Sequence, residues 1–297
     1  MRVIRADAMG MCFGVKDAIE AATLHPRPQN VTIHGQLVHN PVVNQRLNER
    51  GFHQAEETAR AVPTLSTPEV LITAHGVSDT ERARLLALGA QLIDTTCPLV
   101  KRAHRAAAAL KRQGYFVVVL GKPAHVEVEG LTGDLDAFAV VHCENDVRDF
   151  QHPRIGIICQ TTTPPALADQ LSRAVAKRNP NALEIRFVDT VCRPTKERQI
   201  ALDRLLDQVE AVVVVGGRNS NNTRALLARC IDKGKRAWQV EHAGELDPAW
   251  FEGIDKVGLT AGTSTLDETI DDVQARLIAI GKPQRTIPLC EPALALA

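Results

Sequence analysis

Short apolar runs and 3.6-residue patterns alternate along the whole chain. The β-rich runs predict strands over 2–5, 31–34, 70–73, 91–93, 116–120, 155–158, 184–188, 211–215 and 257–260. Most are followed by apolar residues at helical spacing, such as Val15, Ala18, Ile19 and Ala22, or Ile200, Leu205, Leu206 and Val209. Strands that alternate with helices in this way predict βα units built on parallel sheets.

The pattern also repeats on a longer beat. Asp94-Thr95-Thr96-Cys97 closes one strand, Asp189-Thr190-Val191-Cys192 closes another, and Cys12 likewise follows a short strand and opens a helix. The three cysteines stand 85 and 95 residues apart. Gly35, Gly121 and Gly216 recur at 86 and 95, and His75, Gln160 and Thr263 at 85 and 103. Regular α/β folds produce some chance spacings, but the Asp-Thr-x-Cys match lands on the phase set by the other markers. A length of 297 residues would suggest two domains at about 150 each. The phase instead predicts an α/β fold of three pseudo-repeated domains with mainly parallel sheets. Their expected bounds are 13–96, 97–191 and 192–281, with 1–12 joining the third domain and 282–297 forming a C-terminal tail.

Composition narrows the function classes. Lys plus Arg and Asp plus Glu both number 35, and this zero net charge speaks against a nucleic-acid partner. Aromatic residues make up 3% of the chain, leaving little for stacking on bases. No apolar run approaches the roughly 18 residues that span a bilayer, and 1–12 has no signal-like apolar segment. A cytoplasmic protein without membrane contact is therefore expected. Seven cysteines, an odd number with no CxxC pair among them, argue against a disulfide framework, a zinc ribbon or a thioredoxin-type motif.

Each phased cysteine stands at a strand-to-helix junction, with Pro98 or Pro194 close behind two of them. A helix N-terminus presents unpaired N–H groups and the positive end of the helix dipole, which stabilise a thiolate or an anionic cluster. Functional groups of α/β sheets gather beyond the carboxyl ends of the strands. Three such sheets around a pseudo-threefold axis would bring three thiolates to one point. That set suits an iron–sulfur cluster with one iron free of protein ligands. A Cys₃His zinc site is the alternative. A zinc deaminase would need H-x-E with P-C-x-x-C; His125-Val126-Glu127 supplies the first part, and Cys97-Pro98 lacks the second. Most of Cys143, Cys159, Cys230 and Cys290 are expected to be small buried hydrophobes. Other strand ends carry His34 to Asn40, Ala74 to Ser78, His125 to Gly130, Gln160 to Thr162, Asn219 to Thr223 and Gly262 to Thr265. Such imidazole, hydroxyl, amide and helix-end donors fit a phosphate or diphosphate. No P-loop or GxGxxG is present, so a nucleotide is not indicated.

Taken in order, GMCFGV, LVHN, AHGVS, DTTCPLV, the His125/Glu127 segment, QTT, DTVCRPTKERQ, GGRNSNN and TAGTS resemble the motif series of the 4-hydroxy-3-methylbut-2-enyl diphosphate reductase family, from about residue 9 to residue 281. The resemblance implies a 4Fe–4S cluster among three α/β domains, with three cysteine ligands, Cys12, Cys97 and Cys192, and one open iron. It implies reduction of an allylic alcohol diphosphate to isopentenyl and dimethylallyl diphosphates, with the substrate hydroxyl at the open iron. His39, His75 and His125 match the family histidines around the diphosphate; Ser220, Asn222 and Ser264 match its hydroxyl and amide partners. Glu127 resembles the proton-delivery acid, assisted by Thr161, with His125 beside it and Gln160 and Thr162 shaping the same corner. Asn221 replaces a commoner Ser or Gly, and Val126 stands where the family often has Pro. Ferredoxin or flavodoxin is the implied electron donor; Lys101, Arg102, Arg105, Lys111 and Arg112 could dock it, though a solvated helix face is the commoner meaning of such charges. Quinolinate synthase, which also resembles three pseudo-repeats with one cysteine each, and a non-enzymatic iron–sulfur sensor are the alternatives.

Overall fold

The computed structural model describes residues 1–55 and 66–281. The expected tail, 282–297, and Cys290 within it lie outside the described residues. Strand β1 (Arg2–Arg5) opens the chain but pairs with its far end. Next come α1 (Phe13–Thr23), β2 (Val31–Ile33), α2 (Pro41–Glu49), β3 (His53–Gln54), β4 (Glu69–Ile72), α3 (Asp79–Ala87) and β5 (Gln91–Asp94). The middle of the chain forms α4 (Pro98–Arg112), β6 (Phe116–Leu120), α5 (Val126–Thr132), β7 (Phe138–Val141), β8 (Arg154–Cys159), α6 (Pro165–Arg178) and β9 (Glu184–Phe187). The last part forms α7 (Arg193–Leu206), β10 (Ala211–Val215), α8 (Asn221–Asp232), β11 (Arg236–Val240), β12 (Lys256–Ala261) and α9 (Asp267–Ile280).

These strands make three four-stranded sheets, ordered β3-β2-β4-β5, β7-β6-β8-β9 and β11-β10-β12-β1, with every paired strand parallel. The order is the same each time: the first strand lies inside, the second at one edge, and the third and fourth on the other side. In the last sheet the fourth place is filled by β1, whose Val3 faces Val257 of β12. Parallel strands require crossovers, so helices cover both faces and inner strands become continuous apolar runs. β10, AVVVV, is buried at all five positions.

The last sheet carries a cluster of Val213, Leu259, Ile270 and Leu277 on one face and of Leu202, Leu205, Val212 and Leu226 on the other. The middle sheet is layered in the same manner, around Ile157 and Leu171 on one side and Val119 and Leu131 on the other. Three cores therefore support one shared end.

Three strands were not expected from the pattern: β3, β7 and β11. Each is the second strand of its sheet and lies at an edge. Edge position alone does not explain this, because β1, β5 and β9 also lie at edges and were expected, and β7 reads FAVV. β11 reads RAWQV with polar residues interleaved, and β3 is only His53-Gln54.

Candidate active site

The Asp-Thr-x-Cys signature has a local physical meaning. Asp94 Oδ1 accepts the Thr96 N–H at 2.9 Å, and Asp189 Oδ1 accepts the Val191 N–H at 3.0 Å, each closing a turn after a strand. The threonine hydroxyl then donates to the neighbouring strand's carbonyl, Thr95 to Ile72 at 2.6 Å and Thr190 to Cys159 at 2.5 Å. The cysteine becomes the helix N-cap residue: Cys12 for α1, Cys97 for α4, Cys192 for α7. Each cysteine N–H donates to a residue two beyond the end of a third strand: Cys12 to Thr263 at 3.0 Å, Cys97 to Ala74 at 3.1 Å and Cys192 to Thr161 at 2.9 Å. These equivalents replace the His75, Gln160 and Thr263 beat, which was one residue out in two of its three members.

One turn after each cysteine stands a lysine: Lys16, Lys101 and Lys196. Lys101 pairs with Asp94 at 2.9 Å and Lys196 pairs with Asp189, so an ion pair straddles each of these two cysteines. The first copy has Met9 where the others have Asp, and Lys16 turns instead to Asp267 of α9 at 3.5 Å. A common offset of four from each cysteine is the sequence signal for these lysines.

All three thiols line one cavity, part of it open to solvent. His39, His75, His125, Glu127, Thr161, Thr162, Ser220, Asn221, Asn222 and Ser264 share its wall. Gln160 does not. Gln160 opens the turn that the Thr163 N–H closes on its carbonyl at 3.0 Å, and its side chain lies against Gly121, where Oε1 accepts the Lys122 N–H at 3.0 Å.

Besides the three cysteine-capped helices, α2, α5 and α8 also begin at the cavity, each after the first strand of its sheet. Their N-caps are Asn40, His125 and Ser220, each accepting a backbone N–H. Six helix N-termini thus surround the cavity, and their aligned dipoles and N–H groups favour an anion. Val126 occupies the first helical position of α5, where Pro is favoured for the same φ, so its departure from the family pattern leaves the helix start in place. His125 Nδ1 accepts the Glu127 N–H at 3.1 Å, which places the neutral ring's proton on Nε2. The His39 ring lies 4.4 Å from His75 and 5.3 Å from His125, centroid to centroid.

Bonds between distant segments hold this wall together. Asn40 Nδ2 donates to the Ser264 carbonyl at 2.7 Å, and Ser264 Oγ donates to the His39 carbonyl at 3.2 Å. Asn221 Nδ2 donates to Thr162 Oγ1 at 3.0 Å. Asn222 is 1% exposed; its Oδ1 accepts the Thr263 N–H at 3.1 Å, while its Nδ2 has no protein partner. A buried amide donor without a partner on a cavity wall is suited to a ligand oxygen. Asn40 was not singled out from the sequence because an Asn before a helix is normally only a cap.

Glu127 is 2% exposed, and among the described residues no lysine or arginine contributes to its electrostatics. The Thr161 N–H donates to Oε1 at 2.6 Å and the Thr161 hydroxyl to Oε2 at 3.0 Å. Burial pushes its carboxyl up to about 7 although both Thr161 donors pull it down, so it holds a proton near neutrality. Burial also raises the thiols, Cys97 upward and Cys192 up to about 11 against its contact with Thr195. A thiolate here at neutral pH depends on a bound cation. Among the described residues no three His, Cys, Asp or Glu side chains are placed to share one metal ion, as a single zinc would need. The remaining described cysteines stand apart: Cys159 and Cys230 are buried, each pushed up to about 12 by burial, and Cys143 is exposed, unlike the buried role expected for most of this group.

The family described as LytB protein matches residues 3–278. A 4-hydroxy-3-methylbut-2-enyl diphosphate reductase of Pelobacter propionicus is 36% identical over 288 residues, covering 95% of this chain and 99% of that protein. The Aquifex aeolicus protein of the same name is 34% identical over 291 residues, covering 95% and 98%. A solved structure of (E)-4-hydroxy-3-methyl-but-2-enyl diphosphate reductase, the terminal enzyme of the non-mevalonate pathway, is 33% identical with a TM-score of 0.65 and covers 93% of this chain and 99% of that one. The Plasmodium falciparum reductase structure shares the fold at a TM-score of 0.84 and 23% identity, covering 95% and 88%.

Proposed function

The chain belongs to the LytB family, and on that premise we propose that it reduces (E)-4-hydroxy-3-methylbut-2-enyl diphosphate to isopentenyl and dimethylallyl diphosphates. The observation that carries this reading is a buried, protonatable Glu127 in the same cavity as three helix-capping cysteines and three histidines. The relatives bear the reductase name, which leaves the quinolinate-synthase alternative without support. A sensor would need neither a placed acid nor a diphosphate cradle.

The residues fit the implied cofactor, a 4Fe–4S cluster with Cys12, Cys97 and Cys192 as ligands and one iron without a protein ligand. The thiols share one cavity at three dipole ends, and a Cβ on Gly14 would stand 2.4 Å from Cys97 Sγ, so α1 leaves no spare room beside that sulfur. Once bound, the cluster supplies the electrons and a Lewis-acidic iron. His39, His75 and His125, with Ser220, Asn222 and Ser264, hold the diphosphate; Thr162 and Asn221 brace that wall through their mutual bond. Gln160, seated behind the wall, supports the Thr161 segment.

Glu127 delivers the proton that lets the substrate hydroxyl leave as water. Its Oε1 is tied to a backbone N–H that cannot move, so Oε2 is the atom that carries the proton. The Thr161 hydroxyl donates to Oε2 of the carboxylate; in the acid form that bond reverses, Oε2–H donates to Oγ1, and the Thr161 hydrogen turns to the cavity to complete the relay. Ferredoxin or flavodoxin is the electron donor in this reading, and the domain bounds 13–96, 97–191 and 192–281 with 1–12 give each cysteine helix to a separate unit. No helix among the described residues is long and apolar enough to cross a membrane; a cytoplasmic setting suits exposed reducible chemistry of this kind.

The test is anaerobic reconstitution, then addition of the alcohol diphosphate and a one-electron reductant. Both isoprenoid diphosphates should form. A loaded, reduced protein that yields neither would sink the reading, and cluster loss without any substrate-dependent spectral change would favour the sensor. A second expectation concerns the space beside Cys97. Gly14→Ala raises helix propensity by about 1 kcal/mol, yet it should lower the iron bound per chain, measured by iron and sulfide analysis. Full iron content would mean that Cys97 has freedom to shift.

A further inference from the structure

Arg198 is a buried cation on α7, 6% exposed, lying between two cysteine-bearing segments. Its Nε and Nη2 both donate to the Gly10 carbonyl, Nε at 3.1 Å, and its Nη1 donates to the Pro194 carbonyl at 3.1 Å. Gly10 lies two residues before Cys12, and Pro194 lies two residues after Cys192. Among the described residues no carboxylate forms an ion pair with Arg198; the neighbouring Glu197 is held by Arg193 at 2.6 Å.

Two carbonyls satisfy hydrogen bonds, but they do not balance a full charge. A guanidinium cannot shed its proton in a protein, and a buried charge without a counter-charge is costly. Burial draws Arg198 below the ordinary guanidinium range, and the opposing influences are led by Cys12 and Cys192, ahead of Glu197. Both of its carbonyl partners lie two residues from a cysteine, so the geometry sets the uncompensated cation beside the Cys12 and Cys192 segments. Hydrogen bonds to the same two carbonyls could have been supplied by a neutral amide, which would avoid the cost.

We propose that Arg198 is the buried counter-charge of the iron–sulfur cluster and holds its reduction potential within reach of a one-electron donor. The inference rests on the cluster reading given under Proposed function. Three thiolates leave an oxidised cluster with net negative charge, and each arriving electron adds to it. A fixed cation nearby favours the more negative, reduced state, and little water intervenes to screen it. Arg198 is a positioning and tuning residue; it touches neither substrate nor the proton path of Glu127.

The test is an anaerobic redox titration of the substrate-free, reconstituted protein, followed by the electron paramagnetic resonance of the reduced cluster. Arg198→Gln should bind iron as the parent does but titrate at a more negative potential. The ratio of reduced to oxidised cluster at fixed potential should fall at least tenfold, which is about 59 mV for one electron. Arg198→Lys, which keeps the charge and loses the fork of donors, should titrate with the parent. An unchanged midpoint in Arg198→Gln overturns the proposal, and so does a lysine variant displaced as far as the glutamine one, since bonding geometry would then be the cause. If Arg198→Gln takes up no cluster, the lysine variant decides: the parental midpoint supports the counter-charge and a displaced one overturns it. Failure of the parent protein to take up any cluster would overturn the cluster reading itself, an outcome distinct from these.

Discussion

Glu127→Gln is expected to keep iron content and substrate affinity while turnover falls about 10²–10⁴-fold, some 3–5 kcal/mol of barrier. Glutamine preserves the size of the side chain and an oxygen for the Thr161 N–H, which holds Oε1 at 2.6 Å. It removes the acidic proton from a pocket where Glu127 is 2% exposed and, among the described residues, no lysine or arginine pairs with it. The pH profile gives an independent sign. Burial, opposed by the two Thr161 donors, sets the carboxyl at about 7, so the acid form dominates below that pH and declines tenfold per unit above it. Turnover should fall on the alkaline side with that midpoint, and the variant should lose this limb. Full activity in Glu127→Gln, or a rate that climbs through pH 7, would remove the acid assignment.

Cys12→Ser, Cys97→Ser and Cys192→Ser should each lose most of the cluster absorbance, and turnover at least as completely as Glu127→Gln. A serine hydroxyl is a harder, far less acidic ligand than a thiolate and holds iron poorly in a sulfide cluster. The control is Cys230→Ser. Cys230 is 0% exposed and packs with Leu202, Leu226 and Val212 in an apolar cluster of the last sheet. Its replacement places a hydroxyl in an apolar core at a cost of about 1–3 kcal/mol, read as a lower Tm, while iron per chain stays full. Parental iron content in all three helix-cap variants would refute the ligand set. Equal cluster loss in Cys230→Ser would show that stability, not ligation, was being measured.

The cysteines were legible in the chain because their setting is local. Asp-Thr-x-Cys specifies a turn, a bond to the next strand and a helix start within four residues, and the same chemistry recurs wherever that string occurs. The inner strands were legible for a related reason: parallel strands buried on both faces must be apolar throughout, as β6 and β10 are. β3 and β11 were not, one being two residues long and the other interleaved with polar residues; β7, FAVV, offers no such reason. Gln160 shares a motif with Thr161 and Thr162 but precedes the turn that carries them to the cavity, and its side chain is held by the Lys122 N–H instead.

The amino-acid order by itself determined an α/β chain of three like units, with one cysteine-capped helix per unit and polar strand ends near it. Those are properties of short segments, fixed by periodicity, capping and turn chemistry. Only the tertiary structure decided which segments face one another. Asn40 reaches Ser264 across 224 positions, Arg198 reaches Gly10 across 188, and β1 completes a sheet whose other strands begin at Ala211. Thr161 likewise meets Glu127 from another strand end and gives it both of its hydrogen bonds. Such pairings arise from packing three separate cores against a common end, and no local rule in the chain encodes the distance between them.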